Sequence, residues 1–208
     1  PIMNDFQPYR LTPDQGLELH FHANQWRAWD SQKRFIAVLA GTQGGKTSFG
    51  PHWLYREIGL RGPGDYMVVT PTYPLLEKKA LPEFQRIFVK ILGLGRYVGG
   101  PTKMFTFSPA GECRTWGETQ QTPTRVFFGH AMDPDSLESA TAKAAWLDEA
   151  GQKKFKLGSW EAIMRRLSIY LGRVLITTTP YSLGWLKQKL WDPWVAAQHD
   201  HPDIDVIR

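Results

Sequence analysis

Phe35-Ile36-Ala37-Val38-Leu39-Ala40-Gly41-Thr42-Gln43-Gly44-Gly45-Lys46-Thr47-Ser48 is the stretch that decides the fold. An unbroken apolar run ends in a glycine-rich turn, and a helical pattern starts near Lys46 and continues to about Ile58. That is the strand, loop and helix of a phosphate-binding P-loop. Gly45-Lys46-Thr47 fits the end of the motif, while Ala40 occupies its first glycine position and Gly41 follows it. The physical requirements are still met. Glycines let the backbone curl so that successive N–H groups point at phosphate oxygens, and the helix N-terminus faces the same anion. Gly41, Thr42, Gln43, Gly44 and Gly45 form the candidate cradle. Lys46 reaches the β- and γ-phosphates, and the Thr47 hydroxyl ligates Mg²⁺. Ser48 completes the candidate set, read as a helix-turn residue first and a ligand second.

Outward from this stretch, strands and helices alternate. Asp65–Thr70, Met104–Ser108, Thr124–Gly129, Ala144–Leu147 and Arg173–Thr178 read as strands, with a further one starting near Asp203–Ile207. Helices are expected over Ala23–Ser31, Leu75–Leu92, Trp160–Tyr170 and Leu183–Trp191. Gly93–Thr102 reads as a glycine-rich loop. The expected fold is α/β, a P-loop NTPase of the ASCE/RecA-like type with a mostly parallel central sheet and helices on both faces. Residues 1–20 read as an N-terminal arm and 21–208 as the ATPase domain.

Ala144-Ala145-Trp146-Leu147-Asp148-Glu149 is a short apolar strand ending in two carboxylates. In this context Asp148 is assigned to the Mg²⁺ shell and Glu149 to activation of the attacking water, which is a poor nucleophile unless aligned and relieved of a proton. The absence of an Asn-Lys-x-Asp or Thr-Lys-x-Asp segment argues against guanine as the base.

Composition sets wider bounds. Hydrophobic residues make up 42% of the 208, enough for a sizeable core. The net charge of +5 is compatible with nucleic acid without demanding it. The single cysteine, Cys113, rules out an intrachain disulfide and reads as a small, partly buried residue. No apolar run approaches the roughly 20 residues of a membrane span, and the N-terminal residues lack the apolar stretch of a signal peptide. A cytosolic protein is expected.

Three further features give the set a family resemblance. Gln25 precedes the P-loop in Asn24-Gln25-Trp26, the acidic pair follows an Asp133-Pro134-Asp135-Ser136-Leu137 turn, and a strand ends in Thr177-Thr178-Thr179-Pro180. Together, over Phe21–Trp191, these resemble the ATPase domain of phage terminase large subunits, the motors that thread DNA into capsids. The resemblance implies hydrolysis of ATP with Mg²⁺ to move double-stranded viral DNA into a procapsid. It implies a homo-oligomeric ring in the host cytoplasm, with the portal and the small terminase subunit as partners. It also implies that Gln25 reads the adenine edge and that Thr177–Thr179, Thr178 among them, sense the γ-phosphate and couple hydrolysis to movement.

The chain departs from that pattern in two places. Many terminases carry an arginine in the P-loop, near Thr42 or Gln43, and another shortly before the acidic pair, where Glu138 stands and Lys143 is the nearby base. Arg165 and Arg166 are the substitutes, Arg166 being the catalytic candidate, supplied from a neighbour or from a closed form of the same subunit. The nuclease domain of full terminases is expected to be absent from this chain. A helicase-like or other DNA-dependent P-loop ATPase is the alternative, and a poorly hydrolysing nucleotide-gated module a third.

Overall fold

A computed structural model of the chain describes residues 8–13, 16–41, 44–132, 137, 141–180 and 184–208. The apolar run becomes strand β3 (Phe35–Leu39), and the helical pattern becomes α2 (Lys46–Arg61), closed by Gly62 at φ +74°. The other strands of the large sheet are β4 (Asp65–Thr70), β5 (Gly95–Val98), β6 (Met104–Phe107), β7 (Arg125–His130), β8 (Ala144–Asp148), β9 (Arg173–Thr178) and β10 (Ile204–Ile207). They lie in the order β10-β3-β9-β8-β4-β7-β6-β5, with the six strands from β10 to β7 parallel and β6 and β5 antiparallel at one edge. This is an α/β P-loop NTPase fold. The P-loop strand lies beside β9, and the strand carrying the acidic pair lies one place further on.

Both faces of the sheet are buried, and residue alternation along each strand assigns the faces. Ile36, Val38, Ala144 and Trp146 pack with α2, with α1 (Ala23–Asp30) and with α3, a continuous helix over residues 73–91. Ala37, Ala145 and Leu147 pack on the other side against α5 (Leu157–Leu167) and α6 (residues 184–196). Gly50 shows how closely α2 lies on the sheet. A Cβ there would stand 2.0 Å from the Trp146 ring, so only glycine lets the helix approach β8 this far.

Three sequence expectations change. Part of the presumed arm forms a hairpin, β1 (Tyr9–Leu11) with β2 (Leu17–Leu19), whose Tyr9, Leu17 and Leu19 pack on the core. Within the stretch read as loop, Gly95–Val98 is the edge strand, pairing with β6; a Cβ on Gly95 would collide with the Thr106 carbonyl. A helix that periodicity did not reveal, α4 (Pro109–Trp116), starts where the Ser108 hydroxyl accepts the Gly111 N–H at 3.1 Å and ends at Gly117, φ +82°. It presents Cys113 to solvent rather than burying it. Among the described residues no helix is long and apolar enough to cross a membrane.

Candidate nucleotide site

The strands β3, β8 and β9 end side by side, and their carboxyl ends carry the chemistry, as parallel α/β sheets generally place it. Gly45 caps α2 at φ +67°, the left-handed conformation that turns the loop into the helix. Thr42 and Gln43 lie outside the described residues, as do Asp133–Ser136 and Glu138. Gly44, Gly45, Lys46, Thr47 and Ser48 line a cavity of about 340 Å³ together with Lys79, Glu83 and Glu149. A larger cavity of about 550 Å³ opens between the hairpin and the far end of α2, beside Trp29, Tyr55 and Arg56, remote from the phosphate loop.

Lys46 is buried, and its ammonium donates to the carbonyls of Ala40, at 2.8 Å, and Gly41. Burial lowers its pKa, and the charges of Glu149 and Asp148 oppose that shift. An ammonium folded onto its own loop is replacing external acceptors with carbonyls, and phosphate oxygens compete well for such a donor.

Asp148 is the focus of the acidic side. One carboxylate oxygen accepts from the Thr177 hydroxyl at 2.8 Å, and the other from the Thr47 hydroxyl at 3.2 Å. The residue is 1% exposed, and burial pushes its pKa up to about 6, with the adjacent Glu149 charge adding to the rise and the two hydroxyls opposing it. A buried carboxylate beside a threonine hydroxyl fits a divalent cation, whose charge would relieve that desolvation. Mg²⁺ uses one or two such oxygens and keeps its other positions for water and phosphate.

Glu149 is held in the left-handed region, φ +56°, an uncommon conformation for a non-glycine residue and one that persists at sites where the surroundings impose it. Its N–H donates to the Thr177 carbonyl at 2.6 Å, which fixes the turn. One carboxylate oxygen lies 3.9 Å from the Lys79 ammonium. Among the described residues the other is buried without a hydrogen-bond partner, as is the Thr179 hydroxyl. Buried acceptors left open in this way mark a place where a ligand or its water completes the network.

Other expected site residues take different roles. Thr178 is fully buried, accepts the Gly151 N–H at 2.9 Å and donates to the Thr179 carbonyl at 3.2 Å. It braces the turn after Glu149, and alternation along β9 sends it to the opposite face from Thr177. Ser48 donates to the Gly45 carbonyl at 2.9 Å, the helix-turn role, although it also lines the cavity. Gln25 is 2% exposed. Its amide oxygen accepts the His22 N–H and its amide nitrogen donates to the Gly45 carbonyl, both at 3.2 Å, so it ties α1 to the phosphate loop.

Arg165 and Arg166 end α5, and the Arg166 carbonyl accepts the Ala142 N–H just before β8 begins. That is the opposite end of β8 from Asp148, roughly 20 Å away at the rise of a strand. An arginine side chain cannot span this, so in this structure Arg166 stands out of reach of the phosphate site of its own subunit. Lys79, which does face the site, carries no sequence signal, being one of two adjacent lysines on an amphipathic helix.

No family model matches the sequence, and no curated protein matches it. Among solved structures, the large terminase ATPase domain of Thermus phage P74-26 superposes with a TM-score of 0.68 at 20% identity, covering 91% of this chain and 80% of that one. The large terminase of another thermophilic bacteriophage, solved in complex with ATP-γ-S, gives 0.66 at 12% identity over 90% of this chain and 44% of that one. The Phi-28 gp11 DNA packaging motor gives 0.52 at 10% identity, over 88% and 58%. The chain thus has the fold of phage terminase ATPase domains, and spans less than half of the terminase solved with ATP-γ-S.

Proposed function

We propose that this chain is an Mg²⁺-dependent ATPase and the motor part of a phage DNA-packaging terminase. It would drive double-stranded DNA into a procapsid as a ring, in the host cytoplasm, with portal and small terminase subunits as partners. The observation that carries the reading is the convergence of Lys46, Thr47 and Glu149 at one cavity, with Asp148 hydrogen-bonded to Thr47 behind it and a Glu149 oxygen buried and open. The likeness in fold to terminase ATPase domains and to a packaging motor supports the choice of biological role.

Thr47 and Asp148 are the residues to hold Mg²⁺. Bound there, Mg²⁺ would supply positive charge to offset the charge that develops on the phosphoryl oxygens. The loop N–H groups and Lys46 hold the phosphates, and the strained turn at Glu149 aims a carboxylate at the water attacking the γ-phosphorus. That water transfers its proton to Glu149, the bond to the ADP oxygen breaks, and ADP leaves with the electron pair.

Steady-state ATP hydrolysis by wild-type, Lys46→Ala and Glu149→Gln proteins tests the chemistry. Glu149→Gln is expected to bind ATP as the wild type does and to turn over about 10²-fold more slowly or worse. Turnover within a few-fold of wild type would remove Glu149 from the base role. Stimulation by duplex DNA, without unwinding of a tailed duplex, is the outcome expected of a packaging motor; unwinding would move the reading to a helicase.

A further inference from the structure

Lys79 lies in a π-helical turn of α3, Leu76–Ala80, between the buried residues Leu76 and Ala80. A π turn inserts a residue and re-aims the side chains beside it, and such turns recur at functional sites. Here the turn sends the Lys79 ammonium to the mouth of the phosphate cavity, 3.9 Å from the Glu149 carboxylate. That distance is a charge contact longer than a hydrogen bond, and the side chain is half exposed, so it is held loosely and can be redirected.

The charges around the cavity are out of balance for a triphosphate. Glu83, Asp148 and Glu149 are acidic, and the Glu83 carboxylate is already taken by Arg86 at 2.7 Å. Lys46 is one cation. The loop from Ala40 to Ser48 contains no arginine. The carboxylate that activates water must approach a γ-phosphoryl group of like charge, and Lys46 stands on the loop side of that group. Among the described residues lining the cavity, Lys79 is the cation on the Glu149 side. Its charge is felt by both Lys46 and Asp148, which places it within electrostatic reach of the whole site.

We propose that Lys79 is a catalytic cation acting within its own subunit: from its place beside Glu149 it contacts the γ-phosphoryl oxygens when ATP is bound. It offsets the repulsion between base and phosphate and the charge that grows on the transferring oxygens. The bonds made and broken are those of hydrolysis by Glu149-activated water, and Lys79 remains protonated throughout. The role rests on the ATPase reading and deepens it, because it adds from α3 a second cation, beside Glu149, to the cavity that Lys46 lines. ADP has no γ-phosphate, so Lys79 distinguishes it from ATP.

The test compares wild type with Lys79→Gln and Lys79→Arg, measuring kcat, KM, and the affinities for Mg²⁺-ATP-γ-S and Mg²⁺-ADP. Thermal melting should be alike in all three, since the side chain is half exposed. In Lys79→Gln, kcat is expected to fall about 10²-fold, less than the roughly 10³-fold or more of an arginine finger, since an ammonium lacks the guanidinium's bidentate fork. ATP-γ-S affinity should fall about tenfold with ADP affinity within twofold of wild type, and Lys79→Arg should recover most of kcat. Unchanged kcat in Lys79→Gln, or equal loss of ADP and ATP-γ-S affinity, overturns the role. A wild-type protein that neither binds nor hydrolyses ATP overturns the ATPase reading and this role with it, and the wild-type arm tells the two failures apart.

Discussion

Thr177 donates its hydroxyl to Asp148 at 2.8 Å across the β8–β9 pair while accepting the indole N–H of Trp146 at the same distance. Asp148, the proposed metal acid, is thus oriented by a residue that the core also holds in place. Trp146 lies against Gly50 of α2, so the chain of contacts runs from the P-loop helix through the indole to the carboxylate. Groups that orient a metal ligand commonly change metal affinity by 10- to 100-fold when removed. Thr177→Val is expected to raise the Mg²⁺ concentration for half-maximal ATP hydrolysis about tenfold or more. It should also lower stability by about 1–3 kcal/mol, because the buried indole N–H loses its acceptor. Thr177→Ser should keep both properties near wild type. A Mg²⁺ titration of Thr177→Val that overlays the wild-type curve would show that Asp148 needs no such support.

The sequence made the phosphate side of this site legible and left much of the opposite side hidden. Phe35–Thr47 is contiguous, and its run of apolar residues, glycines and Lys-Thr has a single physical reading. Asp148-Glu149 is legible too, because a buried strand ending in two acids has few uses beside a P-loop. What brings Lys79 to Glu149 is a π turn in a helix far away in sequence, and helical periodicity alone does not show where one residue has been inserted. The Gln25–Gly45 contact is similarly tertiary. The α4 helix is a different case: Ser108-Pro109 and Gly117 are ordinary start and stop signals, but its eight residues are too few for a strong periodic pattern. Gly95–Val98 carries two features of a loop, a leading glycine and glycines after it, and only its pairing with β6 makes it a strand.

His52 supplies a pH dependence of folding. It is 2% exposed, its Nε2 has no hydrogen-bond partner among the described residues, and it packs against Tyr9 and Phe21. Burial, with the nearby Arg86 charge adding to it, lowers its pKa from 6.5 to about 4. Between those values the unfolded chain binds the proton and the folded one does not. The contribution of the neutral ring is therefore fully present above pH 6.5 and is lost as the pH falls toward 4. At about 1.4 kcal/mol per pKa unit, the loss is on the order of 3 kcal/mol. Carboxylates add slopes of their own, so the difference between wild type and His52→Phe is the quantity to read. Denaturant unfolding at about pH 7.5, 5.5 and 4.5, spanning that window, should show the variant gaining on wild type as the pH falls. A constant difference across the three would place the proton elsewhere.

Arg166 gives a test of where a second cation originates. Its backbone is anchored beside Ala142, at the end of β8 remote from Asp148. In dilute protein, where subunits seldom meet, Arg166→Ala should hydrolyse ATP within about twofold of wild type, because one strand length separates the side chain from its own site. A defect that appears only as the concentration rises, and that is relieved by mixing with Lys46→Ala, would assign Arg166 to a neighbour's site. A large defect at every concentration would contradict the geometry described for α5.

Gln25 can be asked whether it recognises the base or builds the loop. An amide reading adenine uses a donor and an acceptor together, and would discriminate ATP from GTP. In this structure the oxygen serves the His22 N–H, which caps α1, and the nitrogen serves the Gly45 carbonyl. Gly45 is also where a Cβ would stand 2.9 Å from that nitrogen, so glutamine and glycine fit each other closely. The consequence of losing the amide falls on the loop, which is proposed to hold the phosphates common to every nucleotide. Gln25→Ala is expected to weaken ATP and GTP by the same factor, roughly fivefold for a hydrogen bond of about 1 kcal/mol. Gln25→Glu should be worse than alanine, since it sets a carboxylate against the Gly45 carbonyl and adds negative charge beside the phosphates. Competition binding with the two triphosphates measures the ratio directly. A tenfold greater loss for ATP than for GTP would return Gln25 to the adenine edge and require its amide to leave Gly45 when nucleotide binds.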